Sequence, residues 1–340
     1  MQTETAVRAD ASHVAPANRL TLGERFRMAP HRSYWPLVGL GMYLVIMKLT
    51  TGWRPEHFIG AAVMLFAFYW NALTRRIAIG LVPFLATALV YDLTHLTQPL
   101  VQYLHVHMSV GYLFDKTLLG IRTTGGLLTP NEFFARHHWP VVDFFTGGAY
   151  IVFLYLAIAF PAALSFPCHR PDLHRIARQF GWAFLTLNVV GFITYYVFPA
   201  APPWYVAAHG FGPPDFTVLA SPAAAIRWDQ LTGIHYFEGF YGRSADIFGA
   251  IPSLHVATPF LVFLYGTLMK KRWFNVVAFA FYVLVCFSAI YLQHHYVLDI
   301  TAGTAYAALT FAGQRWVSAR LLQRRTSRAC EAEINPELAA

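Results

Sequence analysis

Eight apolar stretches dominate the 340-residue chain, at roughly 34–51, 57–73, 77–96, 141–166, 179–198, 254–269, 273–292 and 297–314. A helix needs about 20 predominantly apolar residues to cross the hydrocarbon core of a bilayer, within a range of about 17–25. Lipid offers no hydrogen-bond partners, so a single spanning stretch must satisfy its own backbone, and the α-helix does this. The expected fold class is therefore all-α: a polytopic membrane helical bundle of about eight transmembrane helices. The composition agrees. Hydrophobic residues make up 56% of the chain and charged residues 12%, against about 45–50% and about 25% in soluble domains. Disorder, collagen-like repeats and a disulfide scaffold are excluded on the same grounds. Cys168, Cys286 and Cys330 form neither a CxxC pair nor a Cys/His zinc pattern.

The formal charge of +8 has a topological reading. Of the 25 Lys and Arg, 18 fall in the N-terminal arm, in the connections 75–76, 167–178 and 270–272, and in the tail after 314. The positive-inside rule places these segments, and both termini, in the cytoplasm. Segments 97–140 and 199–253 then lie on the periplasmic or luminal face, together with the turn 293–296. Residues 1–33 are expected to form a cytoplasmic arm without the apolar core of a cleavable signal peptide. Residues 34–314 form the membrane domain and 315–340 a basic cytoplasmic tail. The basic patches lack the interleaved aromatics of single-strand binders, so no nucleic-acid partner is expected.

Ionisable groups at membrane depth cost about 2.5–3.5 kcal/mol each on insertion scales and call for a function or a partner. His255 opens the sixth stretch within Gly249-Ala250-Ile251-Pro252-Ser253-Leu254-His255. Pro252 suits the first turn of a helix, which would free the N–H groups of Ser253, Leu254 and His255 to hold a phosphate. A plain helix cap with an interfacial histidine is the alternative. The second cluster is His294-His295-Tyr296-Val297-Leu298-Asp299. If a helix runs through it, His295 and Asp299 share one face. The carboxylate would fix the imidazole tautomer and leave the other ring nitrogen as a nucleophile. A buried structural His–Asp pair is the alternative. His294 sits about 100° around such a helix, as an interfacial or substrate-facing group. The short 270–272 turn makes the two helices antiparallel neighbours and brings His255 and His295 to one level. Two imidazoles, one oriented by a carboxylate, fit attack on phosphorus with protonation of the leaving oxygen.

These residues carry a resemblance. Phe248-Gly249-Ala250-Ile251-Pro252-Ser253-Leu254-His255, with Ala289-Ile290-Tyr291-Leu292-Gln293-His294-His295-Tyr296-Val297-Leu298-Asp299, resembles the type 2 phosphatidic acid phosphatase superfamily. Phe198-Pro199-Ala200-Ala201-Pro202-Pro203-Trp204-Tyr205 resembles a further motif of its aureobasidin-resistance branch, the inositol phosphorylceramide synthases. The resemblance implies a six-helix lipid-phosphatase-like core over about 77–314, and a phosphohistidine mechanism. His295 matches the nucleophile, Asp299 its orienting carboxylate and His255 the general acid. No metal or other cofactor is implied. The partners implied are a phospholipid donor and a ceramide-like lipid-hydroxyl acceptor.

Two departures from the phosphatase pattern favour the synthase branch. Ser288 is followed by Ala289 where the phosphatases carry a phosphate-gripping Arg, and the upstream Lys-x6-Arg-Pro motif is absent, with Lys48 and Arg54-Pro55 spaced one residue short. Arg243, with Arg227 behind it, is the candidate cation for the phosphate. Ser253, His294, Tyr205 and Asp92 complete the candidate substrate-binding set. Asp92 stands at i,i+3 from His95 and beside Tyr91, to line a headgroup pocket or to satisfy a neighbour at the interface. His105, His107, His137 and His138 read as interfacial, and Asp115 and Asp143 as groups near the cleft. The alternative enzyme is a lipid phosphate or polyprenyl diphosphate phosphatase, with water as acceptor. A transporter or a bis-histidine haem protein would instead need histidines facing each other in mid-span.

Overall fold

The computed structural model describes residues 34–166, 169–242 and 247–334. The N-terminal arm, Cys168, Arg243 and the end of the tail lie outside them. Thirteen α-helices organise the described residues: α1 (Trp35–Thr50), α2 (Pro55–Trp70), α3 (Ala72–Thr97), α4 (Val110–Leu119), α5 (Pro130–Arg136), α6 (Pro140–Ser165), α7 (Pro171–Val197), α8 (Pro203–His209), α9 (Ile226–Thr232), α10 (Tyr236–Tyr241), α11 (Leu254–Thr267), α12 (Arg272–Tyr291) and α13 (Val297–Ile334). One antiparallel hairpin, β1 (Ile121–Thr123) with β2 (Gly126–Leu128), stands apart from this all-α plan.

The eight apolar stretches correspond to α1, α2, α3, α6, α7, α11, α12 and α13. By length and hydropathy, α6, α7, α12 and α3 with its continuation to Tyr103 are able to cross a membrane, while α1 and α11 are shorter apolar helices. The protein is an integral membrane protein. Its outward surface matches that solvent: on α12, Val276, Val277, Phe279 and Val283 all face outward, an apolar exposure that water would penalise and lipid does not.

α11 is the hub, packed against α6, α7, α12 and α13, while α3 packs against α6 and α7. These six helices form the core, and α1 and α2 lean on it through α3. Gly303 on α13 permits the closest approach, since a Cβ there would stand 2.3 Å from the Ser253 carbonyl oxygen. The entrance of α11 therefore rests directly on the second turn of α13. Tyr205, Phe180 and Tyr265 fill the interior without exposure.

The long segment between α3 and α6 folds back over one end of the bundle rather than looping free. Thr129-Pro130-Asn131-Glu132 starts α5 with a reciprocal cap: Glu132 N–H donates to Thr129 Oγ1 at 3.1 Å, and Thr129 N–H to Glu132 Oε2 at 2.8 Å. This short helix exists to carry Asn131 inward, where it is buried.

Candidate active site

The three motifs of the sequence meet through their backbones. Ala200 N–H donates to Phe248 O at 2.8 Å, Ala250 N–H to Ala200 O at 3.4 Å, and Trp204 N–H to Gln293 O at 3.1 Å. The segments at 199–204, 248–250 and 292–296 thus form one rigid floor at the end of the bundle.

On that floor His295 Nε2 stands 3.4 Å from His255 Nδ1. The other nitrogen of His295, Nδ1, lies 3.1 Å from the Ala250 carbonyl oxygen and 3.4 Å from Asp299 Oδ2. Two oxygens at Nδ1 require the proton there, so Nε2 presents a lone pair toward His255. Burial lowers the His295 imidazole to about 4, with the Ala250 carbonyl opposing the shift. The ring is neutral near pH 7.

His295 and Asp299 come together, but not on one helix face. The helix begins at Val297, so His295 lies ahead of it. Asp299 sits in the first turn and reaches back to accept the Tyr296 N–H at 2.8 Å, as an acidic side chain does at a helix N-terminus. That backward reach, not the four-residue spacing, places the carboxylate beside His295. Asp115 of α4 accepts the next two N–H groups, Val297 at 2.9 Å and Leu298 at 3.4 Å. Burial pushes the Asp115 carboxyl up to about 6.

The start of α11 also differs from expectation. Pro252 precedes the cap residue Ser253 rather than occupying the first turn. Ser253 N–H is not free, because it donates to Asp299 O at 2.9 Å. The Ser253 hydroxyl is fully buried with no partner among the described residues.

His294 is clamped. It stacks on Tyr241 at 4.7 Å and 10° and on Tyr150 at 5.3 Å and 8°, and Tyr150 in turn stacks on His255 at 4.5 Å and 12°. Four rings in a row fix the rotamers of both imidazoles. Burial drives the basicity of the His294 ring down, with the Pro222 carbonyl opposing the shift; Nε2 has no partner among the described residues.

Below the histidines a cavity of about 390 Å³ runs between α3, α6, α7 and α11. Its walls are mostly apolar, with Phe84, Phe153, Ile158, Phe184 and Phe192 among them, and His255, His294 and His295 close one end.

Several candidates lie elsewhere. Asp92 pairs with His57 at 3.3 Å and Arg54 at 3.8 Å, which ties α3 to α2, and does not line the cavity. Its neighbour Tyr91 does line it. Tyr205 is fully buried and its hydroxyl accepts the Asp215 N–H at 2.7 Å; Trp204, beside it, is the residue that faces the cavity. Arg227 donates to Asp143 Oδ1 at 2.6 Å and lies over the Tyr291 ring, away from the cavity. Arg243 falls outside the described residues. Ala289 is completely buried, and its carbonyl accepts both His294 and His295 N–H groups. Among the described residues no group of three His, Cys, Asp or Glu is arranged to hold a metal ion.

Asn131 is a residue the sequence reading missed. Its Nδ2 donates to Ile290 O at 3.0 Å and His295 O at 3.1 Å, and Gln293 Nε2 donates to Asn131 O at 2.9 Å. The turn that carries His294 and His295 hangs on this side chain. The cap motif marks a helix start, but the partners are 159 and 164 residues away and leave no local trace. Asn131→Ala strands the His295 carbonyl, while Ile290 O keeps the Gln293 N–H at 3.1 Å; one unpaired buried carbonyl costs about 1–3 kcal/mol. Thermal unfolding in detergent should show a clear drop in midpoint with turnover reduced as well; an unchanged midpoint would contradict this anchoring role.

A family model described as the PAP2 superfamily matches residues 125–313. The chain belongs to that superfamily. It is 34% identical over 80% of its length to phosphoinositol dihydroceramide synthase of Bacteroides thetaiotaomicron, covering 88% of that protein. It is also 34% identical to inositol phosphorylceramide synthase of Candida albicans over 39% of this chain and 28% of that one. The catalytic subunit of the same enzyme from Saccharomyces cerevisiae is 35% identical over 37% of this chain and 31% of its own length. The resemblance to the inositol phosphorylceramide synthase branch therefore holds, and the protein is an enzyme of that type. No solved structure matches the chain.

Proposed function

We propose that this PAP2 superfamily member moves a phosphoalcohol headgroup, inositol phosphate-like, from a phospholipid to the primary hydroxyl of a ceramide-like lipid. The observation that carries the reading is the apolar cavity directly beneath the two histidines, which offers a lipid chain, rather than bulk water, access to the reacting atoms. The names of the relatives support the same substrates. Ala289 supports it too, since the cation used by phosphatases is absent from that position.

In this mechanism His295 Nε2 attacks phosphorus and the P–O bond to the glycerolipid breaks. His255 gives its proton to the departing alkoxide, releasing diacylglycerol. The acceptor hydroxyl then passes its proton to His255 as its oxygen attacks phosphorus and the N–P bond breaks. Asp299 and the Ala250 carbonyl hold Nδ1–H throughout and stabilise the positive charge that develops on the ring. The test uses headgroup-labelled phosphatidylinositol with a ceramide, followed by lipid chromatography. Labelled phosphorylceramide supports the transferase; label released only as inositol phosphate makes the enzyme a hydrolase.

The same reading places the site on the periplasmic or luminal face and both termini in the cytoplasm, because the Lys and Arg excess lies on the opposite side. In a variant with its own cysteines replaced, Ile234→Cys and Arg320→Cys should react with an impermeant thiol reagent from opposite sides of the membrane. Reaction of both from one side contradicts this orientation.

A further inference from the structure

The cavity wall is mostly apolar; of its other polar side chains, Thr87 donates to Pro83 O and Ser221 accepts the Ala223 N–H, which leaves a small polar waist that the mechanism does not use. Asn188 on α7 and Thr258 on α11 both line it. Asn188 Nδ2 donates to the Phe184 carbonyl at 2.8 Å. Only the nitrogen can donate, so this bond settles the orientation of the amide and leaves Oδ1 as an acceptor, with no partner among the described residues. The Thr258 hydroxyl likewise has no hydrogen bond there. Both residues are buried, at 7% and 2% exposure, and polar groups in an apolar wall are costly unless something pairs with them.

The two groups share a level. A Cβ at Gly191 would stand 2.7 Å from Leu254 Cδ2, so α7 and α11 are in close contact at these two residues. The helices run antiparallel. One turn inward from Gly191 is Asn188, and one turn inward from Leu254 is Thr258. Thr258 also stands at i,i+3 from His255, on the same face of α11. The waist thus lies one turn, about 5 Å, below the histidine pair.

We infer that Asn188 and Thr258 select the acceptor by binding the secondary amide of an N-acylated amino-alcohol lipid. The inference rests on the transferase reading above. In such a lipid the amide is carried on the carbon next to the carbinol carbon, so its N–H and C=O lie about 3–5 Å from the reacting oxygen by ordinary bond lengths. With that oxygen at the histidines, the amide reaches the waist. Its N–H donates to Asn188 Oδ1 and its carbonyl accepts from the Thr258 hydroxyl. A diacylglycerol in the same place offers ester oxygens and no donor, leaving Asn188 Oδ1 buried and unpaired. Sites built to pair with a substrate N–H reject analogues that lack it more strongly than apolar pockets reject a size change.

The experiment lets a ceramide and a diacylglycerol of matched chain length compete for label from headgroup-labelled phosphatidylinositol whose acyl chains are longer, so that the phosphatidylinositol formed from the added diacylglycerol is resolved from the donor by chain length. The ratio of the two labelled products is read within each protein, so partial loss of folded enzyme cancels. The wild type should favour the amide acceptor strongly. Asn188→Leu should lower that preference about 10- to 100-fold, Thr258→Val should lower it less, and Thr258→Ser, which keeps the hydroxyl, should retain it. A wild-type ratio in both Asn188→Leu and Thr258→Val overturns the selector while leaving the transferase intact. A wild type that labels neither acceptor, releasing only inositol phosphate, overturns both.

Discussion

His295→Ala is expected to form no covalent phospho-adduct from any donor, whereas His255→Ala should form one from an activated donor only. The contrast follows from the geometry. His295 Nε2 is the ring nitrogen with the free lone pair, and His255 Nδ1 lies 3.4 Å from it. Phosphoryl transfer proceeds through a loose transition state that places charge on the leaving oxygen. A lipid alkoxide leaves poorly without a proton; a nitrophenolate leaves well without one. A nitrophenyl phosphodiester therefore bypasses the acid but not the nucleophile. General acid–base groups contribute about 10²- to 10⁴-fold, so His255→Ala should lose about that much turnover on natural lipid and form the acid-labile adduct from the nitrophenyl donor. If His295→Ala forms the adduct and His255→Ala forms it from neither donor, the roles are reversed.

Asp299→Asn should fold and lose turnover by roughly 10²- to 10⁴-fold. Asp299 Oδ2 does two things at once: it caps α13 at the Tyr296 N–H, 2.8 Å away, and faces His295 Nδ1 at 3.4 Å. An asparagine oxygen can keep the cap, which preserves the helix start. It cannot stabilise the cationic ring, and its amide group can turn a donor toward Nδ1–H. The expected signature is an unfolding midpoint near wild type with a collapse in kcat. A variant that turns over normally would leave His295–Asp299 as a structural pair.

Comparison of these two residues with the rest of the site explains what a sequence can disclose here. The meeting of His255, His295 and Asp299 was legible because the motif packs them into two short segments joined by one antiparallel turn. Their local reason was not, since the i,i+4 spacing suggested a helix face and the helix in fact begins between them. Asp92 and Tyr205 were misplaced for a related cause: spacing shows which residues are polar, but not which neighbour they face. His57, on α2, takes Asp92, and the Asp215 backbone takes the Tyr205 hydroxyl.

The helices were legible to the extent that hydropathy reports residence in lipid. The start of α7 at Pro171, eight residues before the apolar stretch, and the run of the α13 backbone to Ile334 carry the helices beyond the stretches that hydropathy marks. Segment 97–140 was the least legible. Asn131 and Asp115 act only through contacts with residues far along the chain, and neither forms part of a repeated pattern.

The headgroup is expected to pass through His295 on its way to the acceptor lipid. Donor labelled in its phosphate, mixed with enzyme alone and quenched in alkali, should leave an acid-labile label that peptide mapping places on His295. A ceramide chase should then carry that label into phosphorylceramide no more slowly than steady-state turnover. A donor chiral at phosphorus should give product of retained configuration, since each of two displacements inverts it. Inverted product, or turnover with no protein-bound label at any time, would contradict the account.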